Sequence, residues 1–173
     1  IGHGIMWVRD YELVPSYELC DRLFLDAHFR FFCWDGVAME NVVRRGDAAQ
    51  SLSAVPWRED NIYYPCDSIP LQYQPVCVRE QIFLVRLIVF ERNTEQSVAY
   101  CLHFPNQETQ IQCFGALGAA FYQDDPENDA YIIAECGKVP SQFLSSCIGR
   151  VATHYGYSGN LDNAETPIPQ AHL

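Results

Sequence analysis

"CGKVPSQFLSSC" runs from Cys136 to Cys147 and sets two cysteines ten residues apart. A proline and mostly polar residues fill the interval. The arrangement recurs along the chain. Cys20 and Cys33 enclose twelve residues, Cys66 and Cys77 ten, and Cys101 and Cys113 eleven. All eight cysteines fall into four consecutive pairs, and none is left over. An even cysteine set of this density points to an oxidising compartment. Eight cysteines allow 105 pairings, so spacing alone leaves the connectivity open. The recurring gap favours sequential bridges: Cys20–Cys33, Cys66–Cys77, Cys101–Cys113 and Cys136–Cys147.

Counting from the second cysteine of each pair exposes a repeat. Starts at Cys33, Cys77, Cys113 and Cys147 are separated by 44, 36 and 34 residues. The stretches that follow are "CWDGVAMENVV", "CVREQIFLVRLIV", "CFGALGAAFY" and "CIGRVATHYGY". Each is apolar or small-residue-rich at helical spacing, which predicts a first helix, A. Turn signals come next, in "ERNTEQ", "QDDPEND" and "YSGNLDN". A second helix, B, is predicted over "PSYELCDRL", "TEQSVAYCLHF" and "ENDAYIIAECGKV", and it contains the first cysteine of a pair. Cys101 lies 24 positions after Cys77, and Cys136 lies 23 after Cys113. Each bridge therefore joins helix B of one hairpin to helix A of the next. Closing a loop of this length contributes about 3 kcal/mol in the chain-entropy model.

Counting 24 back from Cys20 puts a repeat start five residues before Ile1, so the chain is expected to open inside a helix A. Counting 24 forward from Cys147 reaches Ala171, in the tail "PIPQAHL". These marks predict one helical-repeat domain over 1–166, an insertion near 53–76, and an irregular tail over 167–173.

The 173 residues carry 22 acids against 11 basic groups, a formal charge of −11. Phosphate binding needs a basic footprint, so a nucleic-acid partner is excluded. The longest apolar run, Ile82 to Phe90, is too short to cross a bilayer and contains Arg86. No transmembrane segment is therefore predicted. No C-x-x-C, G-x-S-x-G, Walker loop or H-E-x-x-H occurs. No catalytic residue and no cofactor are assigned, and enzymatic activity is not expected.

Helix pairs at a period of 34 to 36, with small residues where helices cross, resemble the tetratricopeptide and Sel1-like class of repeats. The W-x-x-L-G-x-x-Y signature of that class is missing here. "GHGIMWVRDYELVPSYELCDRL", followed by "CWDGVAMEN", is also similar to segments of uncharacterised secreted bacterial proteins with cysteine-paired helical repeats. The resemblance implies an all-α, right-handed solenoid of helical hairpins, stapled by disulfides. It further implies a secreted, periplasmic or cell-surface location. Such arrays bind other proteins, so a scaffold within a cell-surface or membrane-associated assembly is the function expected.

Two groups of side chains stand apart from the repeat. On the 24-residue ruler, His3, Glu40 and His154 share the seventh place after a repeat start. Two imidazoles and a carboxylate suit zinc or iron, which gives a metal-binding protein or a metal-dependent enzyme using His3 and Glu40 as the second functional class. Close helix packing explains the glycines of "GHG" around His3 more simply. Trp57, Tyr63, Tyr64 and Tyr73 cluster in the insertion. They form either a recognition surface or a plug for the lengthened repeat. The acids of "YQDDPENDA" lack the EF-hand order and read as the start of a helix.

Overall fold

A computed structural model describes residues 1–24, 26–47, 58 and 60–162, with side chains outside 43–47 and 154–162. Among the described residues the chain is all-α. Its helices are α1 (Gly2–Val8), α2 (Leu13–Leu23), α3 (Ala27–Asp47) and α4 (Gln74–Leu84). They continue as α5 (Thr94–His103), α6 (Gln107–Asp124), α7 (Asp129–Cys136) and α8 (Leu144–Asp162). Extended pairing among the described residues amounts to an isolated bridge between Arg58 and Asn61.

Polar caps fix where several helices begin. The side chains of Asn93, Asn106 and Asn128 accept from the N–H groups of Gln96, Glu108 and Tyr131. Asp26 does the same for His28 and Phe29 at the start of α3. Each bond satisfies an amide that the helix itself leaves unpaired. Asn106 lies well before Cys113 and Asp26 well before Cys33. The second cysteine of those pairs therefore sits inside its helix, not at the first residue.

All four sequential disulfides are present: Cys20–Cys33, Cys66–Cys77, Cys101–Cys113 and Cys136–Cys147. Their Cα atoms stand 5.5 to 5.9 Å apart, the ordinary range for a bridge. Every one of these cysteines is buried. In the second repeat the first cysteine of the pair lies on a 3-10 turn, Cys66–Ser68, within the stretch expected to be an insertion. Residues 48–57 and 59, which include the first part of the expected insertion near 53–76, lie outside the described residues.

The A-type helices pack in chain order. α1 lies on α3, α3 on α4, α4 on α6, and α6 on α8. The shorter helices fill in beside them: α2 against α1 and α3, α5 against α6, and α7 against α6 and α8. The seam is set by small residues. A Cβ on Gly118 would come 2.8 Å from the carbonyl carbon of Cys147. A Cβ on Gly2 would collide with the Cys33 carbonyl and come 2.6 Å from the amide nitrogen of Val37. Gly118 is the fifth residue after Cys113, and Ala38 and Ile82 hold the fifth place after Cys33 and Cys77. Both are buried.

This seam corrects the register of the first helix. Gly2 meets Cys33 as Gly118 meets Cys147, so Gly2 occupies the fifth place. The first repeat start then falls 23 residues before Cys20, matching the Cys113-to-Cys136 spacing. The longer Cys77-to-Cys101 spacing has a local cause. α4 runs into a π-helical turn, Val85–Val89, where Phe90 N–H reaches Val85 O at 3.1 Å. Such a turn takes up one extra residue. His3 therefore holds the sixth place, one off from Glu40 and His154.

The core is aromatic. Tyr17, Tyr73, Tyr100, Phe104, Phe114, Phe121 and Phe143 are its largest fully buried side chains, and burial of each phenylalanine stabilises the fold by about 1.5–3 kcal/mol. Phe114 of α6 stacks on Phe143, just ahead of α8, at 4.7 Å between ring centroids. Buried charge is paired. Arg86 is ion-paired to Asp124 at 2.6 Å and lies over the Phe121 ring. Arg79 is ion-paired to Asp35 and Glu80 and lies over Phe31.

Candidate functional site

α1 and α3 bring His3 and Glu40 together. His3 Nδ1 lies 2.8 Å from Glu40 Oε2. The other carboxylate oxygen, Oε1, accepts from the indole Nε1–H of Trp7 at 2.9 Å. His3 and Trp7 are four residues apart on α1 and so share one helix face. That spacing was a readable sign that Trp7 belongs to the pair, and the sequence reading passed over it. Glu40 is largely buried, whereas His3 and Trp7 are exposed on one side. The arrangement holds the carboxylate by both oxygens. An ion placed there would have to displace one of these bonds. Among the described residues, no third histidine, cysteine, aspartate or glutamate joins the two in a metal-sized cluster. The backbone of His154 belongs to α8. Its side chain lies outside the described residues.

The insertion aromatics divide. Tyr73, 2% exposed, stacks on Tyr17 at 4.6 Å between centroids. Its hydroxyl donates to Asp21 at 2.5 Å. Burial, and next the bond to Asp21, push its pKa up to about 12. Tyr63 is half-buried and stacks on His103 at 3.5 Å and on Tyr100 at 5.1 Å. Tyr64 lies under the Arg58 guanidinium at 4.1 Å. Trp57 lies outside the described residues. The three described tyrosines thus do not form one exposed patch: Tyr73 seals the α2–α4 side, and Tyr63 covers the end of α5.

Asp21 is a polar hub that spacing did not reveal. Besides Tyr73 it accepts from the Trp34 indole at 3.1 Å and faces Arg30 at 3.9 Å. Its partners come from α3 and from the start of α4, so no single local pattern marks them. Asp124, within the acid run, also has a structural role. It receives Arg86, Arg92 at 3.5 Å and the Tyr131 hydroxyl at 3.2 Å. Asp125 accepts from Asn128. His28 packs edge-on to Phe32 at 4.7 Å, and Phe29 and Phe32 are exposed on α3.

A recess of about 380 Å³ is lined by Val89, Phe90, Glu91, Arg92, Asn93 and Gln96. Glu91 and Arg92 beside it adopt left-handed backbone, φ 47° and 66°. The turn between α1 and α2 does the same at Asp10 and Tyr11, φ 50° and 62°. Both turns lead into a buried serine, Ser16 or Ser97, whose hydroxyl donates to the carbonyl four residues back at 2.7 Å. In each case a cysteine follows four residues later. The left-handed pair therefore recurs in two of the turns, with S-x-x-x-C as its sequence signal, and the turn between α6 and α7 has neither.

Compared with protein-family models, curated proteins and solved structures, the chain matches none.

Proposed function

We propose that this chain is a secreted or periplasmic helical-repeat scaffold that binds protein, as an accessory subunit of a cell-surface or membrane-associated assembly. Its architecture on this reading is a right-handed, tetratricopeptide-like α-solenoid. The observation that carries the proposal is the one-dimensional order of packing. Each A-type helix rests on the next in the chain, and where glycine holds the fifth place it meets the following helix's cysteine. Arrays built this way present long continuous surfaces to partners. Four buried disulfides support the oxidising location. Exposed Phe29 and Phe32, set on a helix tied down by Cys20–Cys33, supply the kind of rigid aromatic anchor that interfaces use.

Affinity capture from the native source, followed by mass spectrometry, tests this. The expected result is a recurring protein partner that is lost in the Phe29→Ser/Phe32→Ser variant. Consistent recovery with no other protein would defeat the scaffold reading.

The contact between His3 and Glu40 favours one second reading, metal binding with His154 or solvent completing the set. It ranks below the first because both Glu40 oxygens already have donors. Elemental analysis of protein purified without chelators, beside a His3→Ala variant, decides it. Stoichiometric metal that disappears in the variant would raise this reading above the scaffold.

A further inference from the structure

α8 carries a helix-docking face that is open among the described residues. α6 receives α8 through Gly115 and Gly118. A Cβ on Gly115 would touch Ser146 O at 3.6 Å and the Arg150 Cβ at 3.8 Å, and Gly118 abuts Cys147. Counted from Cys147, the same two places on α8 are Gly149 and Ala152. Both are exposed, and a Cβ on Gly149 would have nothing within 4 Å. Leu144 and Ile148 extend this face by successive turns, and they are 40% and 38% exposed. α8 thus repeats, on its outer side, the surface on which it is itself docked.

Charge selects what fits there. Two copies of a chain at −11 repel each other over most of their surfaces. No acid stands between Glu135 and Asp162, the longest such interval in the sequence. Of the two cationic residues within it, Arg150 has its Cβ toward Gly115, on the α6 side, and Lys138 is paired with Glu135. We propose that the Leu144–Ile148–Gly149–Ala152 face of α8 pairs with the same face of a second copy, forming a two-fold homodimer. A two-fold contact places each patch on its own equivalent. Gly149 and Ala152 let the two backbones cross closely, while Leu144 and Ile148 pack beside the crossing. One helix face against another buries well under the roughly 1,600 Å² of a standard stable interface. The dimer is accordingly weak and concentration-dependent. The inference is independent of any heterologous partner, and its test reads oligomeric state alone.

Sedimentation equilibrium of the oxidised chain, from micromolar to millimolar concentration, supplies that test. A monomer–dimer equilibrium that stops at two is expected. Ile148→Asp sets a carboxylate against its own copy, and Gly149→Leu blocks the crossing. Each should weaken the dimer by at least about tenfold while helicity and the thermal transition stay intact. Phe29→Ser, on the other end of the array, should leave it unchanged. A monomer at every concentration would overturn the proposal. So would growth beyond two, which signals head-to-tail stacking, or a dimer indifferent to both α8 variants. A chain ending at Asp162 that dimerises where the full chain does not would assign the face to residues 163–173 and equally overturn it.

Discussion

Gly118 lies against the main chain of Cys147 with no room between them for a methyl group. Gly2 lies in the same way against Cys33. One contact, used at both ends of the array, positions successive helices by backbone approach and not by side-chain interdigitation. The bridging cysteine that anchors each hairpin is also the surface on which the previous helix rests.

Gly118→Ala should therefore cost about 1–3 kcal/mol, the usual penalty for overpacking a tight core. Gly149→Ala meets open space and gains helix propensity, so it should stabilise by about 0.5–1 kcal/mol. Urea unfolding of the two variants at a dilution where the chain is monomeric compares them directly. Equal effects would remove the seam as the organising contact.

The cysteines are buried, so native protein should resist reduction. With dithiothreitol alone, thiol titration is expected to stay near zero, and it should rise to eight thiols when denaturant is added. The Cys101→Ser/Cys113→Ser variant should lose about 3 kcal/mol, as chain entropy predicts for a loop of this length. Rapid native-state reduction of all four bridges would contradict the burial.

Arg86 is only 3% exposed and depends on Asp124 for its charge partner. Asp124→Ala leaves a buried guanidinium unpaired and should destabilise by about 3–5 kcal/mol. Replacing both, as Arg86→Met/Asp124→Leu, should recover most of that loss. A double-mutant cycle by chemical denaturation measures the coupling, and additive effects would show that the pair does not act as a unit.

Tyr73 makes the fold sensitive to alkali. Its folded-state pKa stands near 12, above the roughly 10 of an exposed tyrosine. The neutral hydroxyl is the form the fold stabilises. Its contribution is complete below about pH 10 and disappears as pH rises through 12. Burial also raises the hydroxyls of Tyr17 and Tyr100, which adds to the same loss. Unfolding free energy should fall steeply over this window, and Tyr73→Phe should flatten the slope. A slope over this window that is unchanged in Tyr73→Phe would refute the assignment.

The helical class was legible in the sequence by itself, and the recurring gap favoured the sequential cysteine pairing that the structure shows, although spacing alone left the connectivity open. Those features are local or periodic. Apolar spacing specifies a helix, and a gap repeated four times points each cysteine to its neighbour in the chain. His3 and Glu40 were also legible as a pair, because adjacent repeats bring equivalent places together. Their exact register was not. It depended on a one-residue π turn at Val85–Val89 and on which glycine met which cysteine. Both are decided by how helices pack, and a one-residue slip leaves the sequence pattern nearly unchanged. The fate of Tyr73, the Asp21 hub and the burial of Arg86 were likewise tertiary outcomes. Tyr73 and Arg86 are settled by groups more than thirty residues away, and Asp21 by groups on α3 and at the start of α4; an aromatic ring or a charge has the same one-letter appearance whether it meets solvent or a partner. The open outer face of α8 belongs to the same category. Its residues repeat the spacing of α6, and only the packed molecule shows that one of the two faces is filled.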